Sequence, residues 1–472
     1  MIVSVPWFGA LILCAQMHAS EPPNVLVILT DDQGWADIGY NNPGKVHTPH
    51  LDRLAAEGAT FQRHYVMPQC SPTRVALFTG RYPGRFGSAP LQATNLPCFP
   101  VGTLTMASIL KSAGYETWLS GKWHMGEAAK DGPNRHGFDH SYGSMAGAVG
   151  MYQHTYRQGA LSETWHRDQI IISGYENGRH ATDLVAEDAI RVIRQKREKP
   201  FFLYLAFHAP HTPLDERGTF VDQPTMLDPN NPTRWRNEDK IRWFNDEQGI
   251  IQKEADPQKR LFLAAVHHLD HAIGEVVKAL DETKQRANTL ILFSSDNGPQ
   301  DSWAGNAYPH DLKLTHFNQK LPQRGVKTDV WEGGIHVPGF ANWPGKIAPK
   351  TIKQPVHIID WLPTVATLTS TAKEKISACD GIDLTPVLLT DGTLPQRDLY
   401  WIWNSIPNRW ALRYQEWKIV RYDKTEPRKA SDWQLFHLER DPQEKNNVAA
   451  EHPEIVEQLH QRFLKQRGKD RK

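Results

Sequence analysis

Cys70 and Arg74 stand four residues apart in the stretch Cys70-Ser71-Pro72-Thr73-Arg74, a thiol and a guanidinium at the spacing that places both on one face of a helix. Ser71 has the character of an N-cap, Pro72 that of a first helical residue, and Gly80 marks a stop, so a helix is expected over Ser71 to Thr79. Residue 70 then lies just outside a helix N-terminus, where free N–H groups and the helix dipole draw negative charge. Arg74 adds a fixed fork of donors for an oxyanion. A structural cysteine ahead of an ordinary helix fits the same five residues equally well.

Two acidic pairs suggest a metal. Asp31-Asp32 directly follow an apolar run, and Asp296-Asn297-Gly298 follow another, so both pairs belong on the same rim of a sheet. Three carboxylates and one amide oxygen form a hard oxygen set, suited to calcium or magnesium rather than zinc. Adjacent like charges on a buried rim are costly without a cation. Both motifs also serve as plain turn residues, which is their commoner use. Lys122 and His124 alternate by two on an extended segment, which turns both side chains to one side. Standing alone, they would read as a solvated lysine and a loop histidine.

The elements that must position these residues alternate between strand and helix. Val25 to Thr30, Tyr115 to Ser120, Phe201 to Phe207 and Thr289 to Ser294 are apolar runs of strand length. Helices are expected at Pro49 to Glu57, at Thr103 to Ala113 with Thr103 as its cap, at Thr182 to Arg197 and at Gln258 to Glu282. The alternation predicts an α/β fold, a mostly parallel sheet between two layers of helices, with ligand sites beyond the carboxyl ends of the strands. From about Leu394 the pattern changes to short alternating runs at Trp410 to Tyr414, Trp417 to Tyr422 and Trp433 to Leu438, followed by a helix over Pro453 to Lys465. The expected division is a leader over residues 1–20, an α/β domain over 21–393 and a small C-terminal antiparallel sheet-and-helix domain over 394–472.

Composition narrows the partners. The 472 residues carry 54 basic and 53 acidic side chains, a net charge of +1, so no global field points to nucleic acid or an anionic membrane. The apolar run Ile2 to Ala15 is too short to span a bilayer and is interrupted by Pro6; with Ala19 and Ser20 after it, it reads as a signal peptide, although no Lys or Arg precedes it. Export to the periplasm or the exterior follows. A lipid anchor at Cys14 is disfavoured by the bulky Leu13. Of the four cysteines, Cys14 leaves with the leader, and Cys98 and Cys379 could pair, although nothing local brings them together.

The motifs together resemble those of the sulfatases. Beyond the Cys70 to Arg74 signature, the resemblance includes Thr79-Gly80-Arg81, Gly121-Lys122-Trp123-His124-Met125-Gly126, Pro210-His211-Thr212-Pro213, Asp296-Asn297-Gly298 and Trp331-Glu332-Gly333-Gly334, and it runs from Asn24 to Pro442. Within the family the chain is similar to the arylsulfatase B type, an N-acetylgalactosamine-4-sulfatase, through Gly137-Phe138-Asp139 and Asp360-Trp361-Leu362-Pro363-Thr364.

The resemblance implies an alkaline-phosphatase-like large domain and conversion of Cys70 to formylglycine by a maturating enzyme. It places one calcium ion on Asp31, Asp32, Asp296, Asn297 and the modified residue 70, and it sets Arg74, Lys122, His124, His211 and Lys327 around the sulfate group. Hydrated formylglycine has two hydroxyls on one carbon, one to attack sulfur and one whose deprotonation, assigned to His124, later expels sulfate. His211 or Lys327 would protonate the departing alcohol.

The substrate implied is a sulfated glycan, with a 4-sulfated galactose or galactosamine unit as the leading candidate. Aromatic residues at Tyr152, His154, Tyr156, Trp165 and His166, and again from Trp303 to His316, would suit sugar rings or would simply pack loops onto the core. Other classes stay open. A phosphatase or phosphodiesterase on a related fold would call for a serine or threonine nucleophile and several histidine ligands. A non-catalytic glycan-binding relative results if Cys70 is left unmodified. His267 and His271 have the i, i+4 spacing of zinc-binding helices but lack the accompanying glutamate, and a structural helix is the expected reading. His208 ranks behind His211, the histidine between Pro210 and Thr212.

Overall fold

The computed structural model describes residues 21–155, 163–172, 174–214, 216, 227–228, 230–235, 238, 241–300, 323–371 and 376–471. The expected leader, Tyr156 and the stretch from Trp303 to His316 lie outside them. Among the described residues no helix is long and apolar enough to cross a membrane.

Ten strands form the large sheet: β1 (Asn24–Thr30), β2 (Ala59–Phe61), β3 (Glu116–Lys122), β4 (His140–Ser144), β5 (Trp165–Arg167), β6 (Ile170–Ile171), β7 (Phe201–Ala206), β8 (Thr289–Ser295), β9 (Gly339–Asn342) and β10 (Lys350–Ile352), in the spatial order β10-β2-β9-β8-β1-β7-β3-β4-β5-β6. The central five, β8-β1-β7-β3-β4, run parallel, and antiparallel strands are confined to the flanks. Buried on both faces, β1 points Val25, Val27 and Leu29 into one apolar core and Leu26 and Ile28 into another.

Helices α1 (Pro49–Ala56), α4 (Ala181–Arg194) and α5 (Pro257–Glu282) cover the second face. Helices α2 (Cys70–Thr79), α3 (Met106–Ser112) and α6 (Trp361–Leu368) cover the first, and beside them sits an antiparallel sheet of β11 (Asp398–Trp403), β12 (Asn408–Tyr414), β13 (Trp417–Asp423) and β14 (Gln434–His437), backed by α7 (Pro453–Arg467). The small sheet shares one continuous core with the first face, so Trp401, Leu412 and Phe463 pack in the same cluster as Val27 and Leu77. This is the alkaline-phosphatase-like arrangement expected from the sequence.

Two helix starts differ from expectation. α2 begins at Cys70 with Gln69 in the cap position, so residue 70 is the first residue of the helix and is not outside it. Ser71 does not cap; its hydroxyl donates to the carbonyl of His124 at 2.9 Å and accepts from Thr94 N–H at 3.1 Å, a tertiary role that outweighs its local preference. α3 is capped by Thr105, whose hydroxyl accepts from Ser108 N–H while Ser108 reaches back, a capping box that Thr103 could not complete. Cys98 and Cys379 are both free thiols.

Candidate active site

The rim is built by strand register. Thr30 pairs with Ser295 across β1 and β8, so the residues one step beyond, Asp31 and Asp296, emerge side by side. Asp296 N–H donates to Thr30 C=O at 3.0 Å, and Asp32 N–H donates to Asp296 Oδ1 at 3.2 Å. Asp32 reaches this position through a left-handed backbone, φ 64°. The N-terminus of α2 faces the same rim: ligand atoms of Asp31, Cys70 and Asp296 lie within 4.8 Å of one another, as do those of Asp31, Asp32 and His211.

Basic side chains close the ring. Arg74 is fully buried; its guanidinium donates to Asp296 Oδ2 at 2.8 Å, to the Lys122 carbonyl at 2.8 Å and to the Tyr204 hydroxyl at 3.0 Å. Lys122, also fully buried, pairs with Asp31. Lys327 donates to Asp32 at 2.8 Å, and His211 Nε2 lies 3.6 Å from the same carboxylate. His124 stands at φ 57°, with its ring against Gly147, where a Cβ would fall 2.2 Å from Nε2. The structure thus brings together Asp31, Asp32, Cys70, Arg74, Lys122, His124, His211, Asp296, Asn297 and Lys327.

Two oxygens in this ring accept nothing. Asp31 Oδ1 and Asn297 Oδ1 are buried without a hydrogen-bond partner, while Asn297 Nδ2 donates to Asp32 Oδ1 at 2.7 Å and so anchors the amide beside the cluster. Buried acceptors left open in this way are costly unless something binds there. Two orphaned oxygens among three carboxylates fit a hard divalent cation.

The charges set the protonation states. Burial, reinforced by the neighbouring Asp31, pushes Asp296 up to about 6. Burial also works against ionised Asp32, but Lys327 and His211 outweigh it and hold that carboxyl down to about 2. Burial and then Lys327 press His211 down to about 3, and burial with Lys122 and Arg74 drives His124 well below its ordinary range. Burial raises the Cys70 thiol against the pull of Lys122 and Lys327. Both histidines are therefore neutral bases, whereas Lys327, raised by Asp32 against the effect of burial, is firmly protonated.

Sequence reasoning missed Tyr204, hidden in an apolar strand; His208, ranked behind His211, has a buried ring with neither nitrogen bonded. The aromatic run near Tyr152 is spent on packing. Tyr152, His154, Trp165 and His166 are buried, His154 stacks on Trp165 at 4.6 Å, and Trp165 Nε1 donates to Glu176 at 3.1 Å. On α5 the reactive-looking histidines are structural. His268 is clamped between Glu216 (2.6 Å) and Asp183 (2.9 Å), with Trp243 stacked on it at 4.1 Å, and His271 Nε2 meets Arg242 at the surface.

A mostly parallel sheet with an acidic rim facing a cysteine at a helix start fits a hydrolase of the alkaline-phosphatase-like fold. The chain belongs to the sulfatase family: residues 23–371 match the family Sulfatase, and residues 326–469 match N-sulphoglucosamine sulphohydrolase, C-terminal. It is 29% identical to arylsulfatase J of Mus musculus, covering 94% of this chain and 75% of that protein. It is 30% identical to N-acetylgalactosamine-6-sulfatase of Canis lupus familiaris, covering 81% and 69%. The solved structure of Ps i-CgsB in complex with k-i-k-neocarrahexaose superposes with a TM-score of 0.75 at 27% identity, covering 96% of this chain and 94% of that one. The protein is thus a sulfuric ester hydrolase.

Proposed function

We propose that this protein removes sulfate from a galactose-type sugar, using formylglycine made from Cys70 and a calcium ion held by Asp31, Asp32, Asp296, Asn297 and residue 70. The observation that carries the reading is the pair of orphaned oxygens, Asp31 Oδ1 and Asn297 Oδ1, in the ring that also contains residue 70. Calcium, when bound, supplies positive charge for the nucleophilic oxygen of residue 70 and for the sulfuryl oxygens. Hydrated formylglycine supplies that oxygen together with a second hydroxyl for the release of sulfate.

The chain's own side chains do the rest. Three carboxylates, Asp31, Asp32 and Asp296, face three cations, Arg74, Lys122 and Lys327, so a divalent ion tips the ring positive and favours an anionic ester. Arg74 fixes Asp296 and Lys122 fixes Asp31, which holds the oxygen ligands in place. Lys327 extends its ammonium beside Asp32 and stabilises the departing alcohol oxygen. His124, neutral and with Nδ1 unpartnered, accepts the proton when sulfate leaves.

Mass spectrometry of the peptide bearing residue 70, from protein produced with a maturating enzyme, tests the nucleophile. A panel of sulfated mono- and oligosaccharides, 4- and 6-sulfated galactose and N-acetylgalactosamine among them, tests the sugar. The 4-position rests on the arylsulfatase B resemblance, and the 6-position on the N-acetylgalactosamine-6-sulfatase relatives. Trp303→Ala should impair a glycan far more than a small aryl sulfate. Turnover of phosphate esters with none of sulfate esters would overturn the reading. Export through residues 1–20 and a functional division at residues 393/394 belong to the same proposal.

A further inference from the structure

The segment that carries Lys327 is short, irregular and strained, and it is held in part by the small C-terminal sheet and the loop that follows it. Thr328 has φ 75°, a left-handed conformation that a β-branched residue adopts only under compulsion. Lys327 N–H donates to Pro299 C=O at 2.9 Å and Thr328 N–H to Pro68 C=O at 2.7 Å, which ties the two residues to the rim and to the approach to α2. The remaining restraints from outside the segment come from the other sheet and from Glu444, in the loop that follows β14.

Tyr422, on β13, accepts Val330 N–H at 3.0 Å and donates to Asp329 Oδ1 at 3.1 Å. Asp329 in turn accepts Val326 N–H at 3.1 Å and pairs with Arg409 of β12 at 3.2 Å. Farther along, Glu444 accepts Glu332 N–H at 2.7 Å through its carboxylate, and its backbone carbonyl accepts from Arg324 at 2.8 Å. Lys418 bridges Glu332 at 2.9 Å and Glu444 at 2.8 Å, with no exposure of its own side chain. Glu444 also stands at a positive φ, 51°. Two strained residues held by buried or partly buried charged pairs mark a geometry that the surroundings impose.

We propose that Tyr422 and Glu444 are positioning residues for Lys327: the small sheet acts as the jig that places its ammonium at the departing oxygen. The inference rests on the sulfatase reading and on the role given there to Lys327. A side chain that assists a leaving group matters most when that group leaves poorly, so the consequence is selective. Misplacing Lys327 should slow sulfate esters of weakly acidic phenols and spare those of strongly acidic ones, at little change in KM.

The test is steady-state kinetics of the fully matured enzyme on a series of aryl sulfates running from phenyl sulfate to 4-nitrophenyl sulfate. Lys327→Ala sets the limiting steepness of the dependence on leaving-group acidity. Tyr422→Phe, which removes one hydroxyl and keeps the ring stacked 5.3 Å from Trp331, is expected to lower kcat on phenyl sulfate about tenfold and on 4-nitrophenyl sulfate less than about twofold. Glu444→Gln should act in the same direction and more strongly, and Glu444→Asp should restore part of the loss. Added to Lys327→Ala, neither change should cost anything further.

Equal loss across the series, or full additivity with Lys327→Ala, would make Tyr422 and Glu444 merely structural and overturn the proposal. Should Glu444→Gln fail to fold, the milder Tyr422→Phe decides alone. A flat dependence for Lys327→Ala itself would instead remove the role assigned to that lysine, and the inference would fall with it.

Discussion

Two of the buried charge clusters among the described residues are opposites. At the rim, Asp31, Asp32, Asp296 and Asn297 crowd together with two oxygens left without partners. Around α5, Glu216 and Asp183 grip the two nitrogens of His268, and His180 closes on Glu216 at 3.4 Å. Both contain ligand atoms close enough for a metal. Satisfaction separates them. The second cluster completes its own bonding by holding a proton on His268, whose pKa Glu216 and Asp183 raise to about 9 against the opposing effect of burial. The first leaves two acceptors open among three carboxylates, a set that a cation would satisfy.

The contrast is tested most severely at the rim. Cys70→Ala should reduce sulfate release by at least about ten thousandfold, since no other group in the ring supplies a nucleophile with its own exit. Sulfate release by ion chromatography measures it, and substantial residual turnover would transfer the nucleophile elsewhere. Asp31→Ala should abolish bound calcium and cost about a thousandfold in activity, read by elemental analysis beside the same assay. Retention of stoichiometric metal would mean that the orphaned oxygens do not hold it.

The α5 cluster should respond in stability alone. Glu216→Gln strips a buried imidazolium of one partner and should cost about 3 kcal/mol in urea unfolding, with kcat per folded molecule and metal content unchanged. Loss of activity in the folded variant would erase the distinction between the clusters. The pH dependence has a definite sign. Because the folded His268 pKa lies above the unfolded 6.5, its stabilisation is complete below pH 6.5 and is lost as pH rises towards about 9. Wild-type stability should decline by roughly 3 kcal/mol over that window, and Glu216→Gln should flatten the decline. The smallest expected effect is that of His271→Ala, whose surface contact with Arg242 should be worth no more than about 0.5 kcal/mol.

The rim was readable from sequence because acidic residues directly after apolar runs leave few places to go. In a parallel sheet, the ends of neighbouring strands meet, and Asp31 and Asp296 follow two such strands. The same logic fixed the two-faced cover of helices, since β1 is apolar at every core position. Three kinds of information were not local. The start of α2 shifted to Cys70 because Gln69 is engaged from afar, its side-chain oxygen accepting from Ala93 N–H at 2.7 Å and from Trp403 Nε1 at 2.8 Å. Glu216 gives no periodic signal, and only folding carries it to His268. Tyr204 looks like one more apolar strand residue until Arg74 is placed opposite its hydroxyl. The aromatic run at Tyr152 to His166 was ambiguous, and burial decides it in favour of packing for the residues described.

The pairing of β1 with β8 also imposes a timetable. Cys70 is 2% exposed in the finished fold, out of reach of any modifying enzyme. The strand that closes the site ends just before Asp296, and Asp296 lies 226 positions after Cys70. At synthesis rates of about 5–20 residues per second, that distance keeps the thiol accessible for roughly 10–50 s after it is made. On the formylglycine reading proposed above, maturation and folding compete for one interval. On that reading, a chain that closes its sheet too early seals in an unconverted thiol, and slow completion of the fold serves activity.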